Sequence, residues 1–179
     1  METRWRYFSL TANEEGVEVQ TVVGSERERL DPIIDASFEG WYQRHAKRTL
    51  REIEIVLEAS AAEKRVGLAM LKKLDSEKGY VYYIAVLPEY RGKKIGSRLL
   101  DKSLDYLSEH GSTIVFASLI QEHEEASYLF TSRGFVKTNY GELAKRFGKL
   151  HAINLYRKML VVSGEVVVYK ELVKKPNSN

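Results

Sequence analysis

Along the chain the apolar positions switch between a period of two and a period near 3.6, and each switch predicts a new element. Trp5 to Leu10 and Val17 to Val23 read as strands. Ser25-Glu26-Arg27-Glu28 has the form of a capping box and predicts a helix start. Asp31-Pro32 offers a second start, with proline at the first helical position. Leu30, Ile34, Phe38, Trp41, Tyr42 and His45 then recur at helical spacing, with Pro32 able to split the stretch in two. Three strands are predicted next, over Glu52 to Glu58, Arg65 to Lys72 and Tyr80 to Leu87. The last is apolar or aromatic on both faces, with Tyr80, Tyr82, Ile84 and Val86 on one and Val81, Tyr83, Ala85 and Leu87 on the other. A strand of that kind belongs in the centre of a sheet.

Pro88 ends that strand and a Gly/Lys-rich turn follows. A helix carrying Leu99, Leu100, Leu104 and Leu107 on one side comes next, closed by His110-Gly111. Thr113 to Leu119 predicts a strand, Glu122 to Arg133 a helix, and Phe135 to Tyr140 and Ile153 to Val162 two further strands. Glu165 to Lys170 adds one more. The order β-β-α-β-β-β-α-β-α-β-β predicts an α/β layered domain with a central mixed sheet flanked by helices. One domain is expected over residues 1–174, with 175–179 as a flexible tail.

Composition narrows the chemistry. The chain has 179 residues, 44% hydrophobic, enough for one cored domain. Its 28 Lys+Arg against 25 Asp+Glu leave +3, too mild a charge to imply nucleic acid. The absence of cysteine excludes disulfides, thiolate metal sites and a Cys nucleophile. No apolar run reaches the ~18–20 residues of a membrane span. The first residues lack a signal-peptide core, so the expectation is a cytoplasmic protein. His45, His110 and His151 stand isolated and no H-E-x-x-H is present, so no metal is expected.

The informative stretch is Val86-Leu87-Pro88-Glu89-Tyr90-Arg91-Gly92-Lys93-Lys94-Ile95-Gly96-Ser97. A central strand stops, a basic turn follows and a helix begins. The first helical turn carries unpaired N–H groups and the positive end of the helix dipole. Gly92 and Gly96 admit a ligand close to the backbone, and Arg91, Lys93 and Lys94 add charge. Such a cradle suits a pyrophosphate.

Leu87 to Leu100 resembles the acyl-CoA-binding motif of the GNAT superfamily of N-acyltransferases, [Q/R]-x-x-G-x-[G/A], with Arg91 first and Gly96 last. Lys94 stands where an inner glycine is usual. Ala126-Ser127-Tyr128-Leu129-Phe130-Thr131-Ser132-Arg133-Gly134-Phe135 is similar to the family's second motif, A-x-x-L-Y-x-x-x-G-F, with Phe130 in place of the tyrosine. The resemblance implies direct transfer of acetyl from acetyl-CoA to an amine acceptor. It implies that Ile84, Ala85 and Val86 present backbone to the pantetheine arm. The Val86 N–H would polarise the thioester carbonyl. Arg91, Gly92, Lys93, Lys94, Ile95, Gly96 and Ser97 would hold the diphosphate, and His123, Ser127 and Phe130 would border the cofactor.

Phe130 cannot serve as the acid, and Tyr128 is turned ~200° from it around the helix. Tyr83 is the catalytic tyrosine expected in its place, with Tyr140 or a water as alternatives. Glu54 is the expected base, with Glu52, Glu122 and His123 as alternatives. The rival reading is a catalytically weak or inactive acyl-CoA-binding sensor, which Phe130 favours. A nucleic-acid binder would interleave aromatics with lysines, and only Tyr90-Arg91 and Tyr156-Arg157-Lys158 do so. The first and last strands could serve a homodimer.

Overall fold

A computed structural model describes residues 16–173. The predicted strand over Trp5 to Leu10 and the tail lie outside these. The described residues form one seven-stranded mixed sheet in the order β1-β2-β3-β4-β5-β7-β6. Its strands are β1 (Val17–Val22), β2 (Ile55–Ala61), β3 (Lys64–Lys73), β4 (Lys78–Val86), β5 (Ile114–Ile120), β6 (Val136–Thr138) and β7 (Glu165–Glu171). All neighbours are antiparallel except β4 and β5, which run parallel.

Helices α1 (Asp31–Ser37) and α2 (Gly40–Glu52) cover one face through Ile33, Ile34, Ala46 and Leu50, packed on Val56, Leu68, Met70 and Ala85. Helices α5 (Tyr140–Phe147) and α6 (Lys149–Met159) cover the rest of that face through Leu143, Ala152, Leu155 and Met159. Helices α3 (Ile95–Glu109) and α4 (Glu124–Thr131) cover the other, where Leu99, Leu100, Leu107 and Phe130 meet Leu57, Ala69, Val81 and Val115. None of these helices is long and apolar enough to cross a membrane.

Several expectations are corrected. Ile153 to Val162 is not a strand but mostly α6. Ala152, Leu155 and Met159 recur at helical spacing and are the buried positions, which outweighs a short apolar run. Within the predicted strand Phe135 to Tyr140, only Val136–Thr138 pairs as β6. Asn139 then caps α5 by accepting from the Glu142 N–H at 3.0 Å. The helix start expected at Ser25 lies one residue inside the observed element. Gly24–Leu30 is a 3-10 helix whose N-cap is Val23, a residue without a hydrogen-bonding side chain. Strand β2 starts at Ile55 because α2 continues through Glu52. Strand β7 does form, paired along its length with β5 and at Val167 to Tyr169 with β6.

The most consequential correction concerns β4. Its pairing with β3 slips at one point: Leu71 opposes Val81 but Met70 opposes Tyr83, leaving Tyr82 as an extra residue. A β-bulge there breaks the strict alternation expected of the strand. Tyr82 and Tyr83 therefore both pack toward α1 and α2, while Ile84 and Val86 join Val81 on the α3 face.

Candidate active site

Strands β4 and β5 pair in parallel only from Lys78↔Ile114 to Val81↔Ala117, and beyond that point they part. The bulge at Tyr82 lies at the fork and bends β4 away from its neighbour. The opening is lined by groups from both faces of the sheet, which makes it a cleft running through the sheet with a volume of about 930 Å³. The Tyr80 and Ser118 hydroxyls meet at 2.7 Å across the fork.

Backbone direction at the split follows from one contact. The Leu87 N–H donates to the Val66 carbonyl at 2.9 Å, so Leu87, Ala85 and Tyr83 turn their polar backbone toward β3. Ile84 and Val86 therefore turn theirs into the cleft. The Val86 carbonyl there accepts from Arg91 Nε at 3.3 Å and Ser37 Oγ at 3.4 Å. Ala85 also borders the cleft, but its side chain is buried under α1 and α2.

Past a short 3-10 turn (Pro88–Tyr90), the chain rises over Gly92 and Lys94, both left-handed with φ 76° and 58°. Glycine adopts that region without cost; for lysine it costs roughly 1–2 kcal/mol. The first helical bond of α3 runs from Arg98 N–H to the Lys94 carbonyl at 3.0 Å, and no side chain caps the turn. The helix thus gives no acceptor to the amides of Ile95, Gly96 and Ser97. A Cβ built on Gly96 would stand 3.6 Å from Leu129 Cδ2 and 3.9 Å from Val86 Cγ2, all cleft-lining residues. The missing side chain thus leaves space between helix and strand rather than avoiding a clash.

The cleft gathers twelve predicted site residues: Tyr83, Ile84, Ala85, Val86, Arg91, Gly92, Lys94, Ile95, Gly96, Ser97, His123 and Phe130. Lys93 stands just outside, its Nζ 4.8 Å from the Tyr90 ring, and Tyr90 lines the cleft. Ser127 is half-buried in α4 and does not line it. Glu54 is not brought to the cleft. It sits exposed between α2 and β2, its carbonyl held by Arg27. Glu52 is likewise exposed and pairs with Arg48 at 3.2 Å. Phe130 is 5% exposed and packs edge-on against Phe135. Tyr128 borders the rim but is 75% exposed.

Other residues were not singled out. His45 was expected to be isolated, but its Nδ1 lies 2.9 Å from the Tyr83 hydroxyl in the cleft. Trp41, Tyr42 and Glu165 line the same end, with Tyr42 donating to Glu165 Oε1 at 3.3 Å. Arg133 lines the α3–α4 side and is anchored by Asp101 at 2.8 Å and 3.3 Å. The available signal for His45 was a histidine within the apolar stripe of a helix; nothing in one sequence brought Glu165 beside it.

Burial raises the phenol of Tyr82 to about 12 and that of Tyr83 further, each aided by Glu165. Burial also holds the imidazole of His45 below 6.5, helped by Arg48 and opposed by Glu165 and Glu52. Among the described residues, no three acidic or histidine side chains are grouped to hold a metal ion.

The profile of a family described as "Acetyltransferase (GNAT) family" matches residues 26–135. An uncharacterized protein of Mycobacterium leprae (strain TN) is 29% identical over 133 residues, covering 70% of this chain and 36% of that protein. The chain thus spans about a third of the length of the curated relative it matches. A GNAT family acetyltransferase from Staphylococcus aureus shares the fold with a TM-score of 0.68 and 20% identity, over 88% of this chain and 99% of that one. One from Elizabethkingia anophelis, with acetyl-CoA bound, gives a TM-score of 0.66 at 13% identity, over 88% and 99%.

Proposed function

The chain belongs to the acetyltransferase (GNAT) family, and from that premise we propose that it transfers an acetyl group from acetyl-CoA directly to a primary amine of a protein, peptide or small molecule. The observation that carries this reading is the parting of β4 from β5 beside the uncapped first turn of α3. A thioester on a long arm needs an extended strand to lie along and a cationic turn for its diphosphate. The fork supplies Ile84 and Val86 as the first. The amides of Ile95, Gly96 and Ser97, with Arg91, Lys93 and Lys94, supply the second.

The residues then divide the work. The Val86 N–H points into the fork and polarises the acetyl carbonyl; one such donor is worth ~3–4 kcal/mol to the transition state. Phe130 supplies no proton and closes the cleft as an apolar wall. Transfer is direct in this reading, and the chain has no cysteine that could carry an acyl thioester. CoA-thiol release is the test. Incubation with acetyl-CoA and a panel of amines and peptides should give amine-dependent release. A thermal shift with acetyl-CoA but no release on any amine would favour the sensor reading that Phe130 supports. No shift and no release would end both.

A second expectation concerns the charges. Arg91→Ala with Lys93→Ala should weaken acetyl-CoA at least ~10-fold, since a charge-assisted hydrogen bond is worth ~1.5–3 kcal/mol. Both side chains are exposed, so the melting temperature should hold. Titration calorimetry reads the loss, and unchanged affinity would remove the diphosphate from this turn.

A further inference from the structure

The end of the cleft away from α3 holds groups that acetyl-CoA binding does not use. The His45 ring stacks with Trp41 at 4.7 Å between centroids and 17° between planes, and with Tyr82 at 5.9 Å and 21°. Its Nδ1 meets the Tyr83 hydroxyl at 2.9 Å, with Thr49 Oγ1 at 3.4 Å. Two aromatic faces and a hydrogen bond therefore fix the plane and direction of this imidazole. The β4 bulge places Tyr82 and Tyr83 on the α2 face, so the pair exists only because alternation fails there. Tyr83 lies three residues from Val86 on the strand that carries the thioester in the proposed function. Phe130, at the family's tyrosine position, cannot move a proton.

We propose that Tyr83 and His45 form the proton relay of the transfer: the attacking nitrogen gives a proton to Tyr83 Oη as the Tyr83 proton passes to His45 Nδ1. This rests on the acetyl-CoA-dependent reading above. The C–N bond forms and the C–S bond breaks, sulfur leaving with the electron pair as CoA thiolate. Imidazolium at His45 then holds the proton until solvent removes it. Tyr83 is the catalytic residue, because it touches the reacting nitrogen; His45 acts through it.

The starting state must be neutral His45 with its proton on Nε2, and protonated Tyr83. Burial favours both neutral forms. The charged and titratable groups facing His45 are Arg48 and Glu52 on α2, Tyr82 and Tyr83 on β4, and Glu165 on β7. Burial, the largest cause, and then Arg48 disfavour the imidazolium, and together they outweigh the two carboxylates that favour it, so His45 lies below its ordinary 6.5. Activity should hold as pH falls to 6.5 and drop only below it, because His45 is protonated there and protonated His45 accepts nothing.

The full chain is assayed by CoA-thiol release with the fastest amine of the panel, over about pH 5 to 9. His45→Gln and Tyr83→Phe should each lower kcat ~10²- to 10³-fold with KM for acetyl-CoA unchanged. His45→Gln should also erase the acid limb of kcat below 6.5, read at saturating amine so that protonation of the free amine, with its pKa of ~10, enters KM and not kcat. The double variant should be no slower than the slower single one, since the two act as a unit. Wild-type kcat in either single variant, a surviving acid limb or multiplying losses would each overturn the relay alone. No release from the wild type on any amine would overturn the amine reading with it. Nitrogen NMR of the unmodified protein gives a check that needs no variant: the relay requires His45 as the Nε2–H tautomer, and the Nδ1–H tautomer would end it.

Discussion

Gly96→Val is expected to weaken acetyl-CoA binding at least ~100-fold while leaving the fold intact, a loss of ~2.8 kcal/mol or more in affinity. Gly96 is the second residue of α3 and its φ is not positive, so a side chain introduces no backbone strain. Its Cβ would stand in ordinary contact with Leu129 and Val86. Valine would fill that space with two further carbons, between the amides of the first helical turn and the open edge of β4. A phosphate that must reach those amides would then be held off by a side chain. Glycine is also among the poorest helix formers, so the fold loses nothing by the exchange. Melting should shift by no more than a few degrees, and calorimetry should show the affinity gone. Native affinity in this variant would place the cofactor elsewhere.

Gly67→Val should instead cost ~2–3 kcal/mol of stability. Gly67 lies on β3 beneath α3. A Cβ there would already meet the Ala85 carbonyl and Leu99 Cδ1 at 3.0 Å, and Ile95 Cγ2 at 3.4 Å. The carbonyl is fixed in β4 just where that strand must keep its shape at the fork. Ile95 and Leu99 are on the helix whose first turn is the proposed anion cradle, so relief comes by pushing α3 outward. For a domain of this size the melting temperature should drop roughly 5–10 °C. Acetyl-CoA affinity should fall with it, unlike in a core variant remote from α3. An unshifted melting curve would mean that the helix does not rest on this glycine.

How far the site could be read in advance depended on whether its parts were local in sequence. The strand, basic turn and helix from Tyr80 to Leu107 are contiguous, and each is set by neighbours within a few residues: Pro88 stopping the strand, Gly92 turning the chain, and leucines at helical spacing. The basic turn and the helix it opens were readable for that reason. Glu54 shows the limit. The pattern of Glu52 to Glu58 predicts a strand bordering the site, yet α2 runs on through Glu52 and leaves Glu54 outside the cleft. Ile153 to Val162 failed differently. A short apolar run does not distinguish a strand from a buried helix, and the surface it covers, with Phe116 and Val167, comes from distant strands.

The chain by itself determined the layered α/β class, the order of most elements and the basic turn between strand and helix, because period, capping and turn chemistry act over a handful of residues. Tertiary structure decided which side chains share the α2 end of the cleft. His45 and Tyr83 are 38 positions apart, and Tyr42 and Glu165 are 123 apart. The first pair meets where pairing with β3 leaves one extra residue in β4 at Tyr82. That slip turns Tyr83 toward α2 and opens the fork from β5. Register between strands is set by the packing of a whole sheet, and no stretch of a single strand specifies where it will slip.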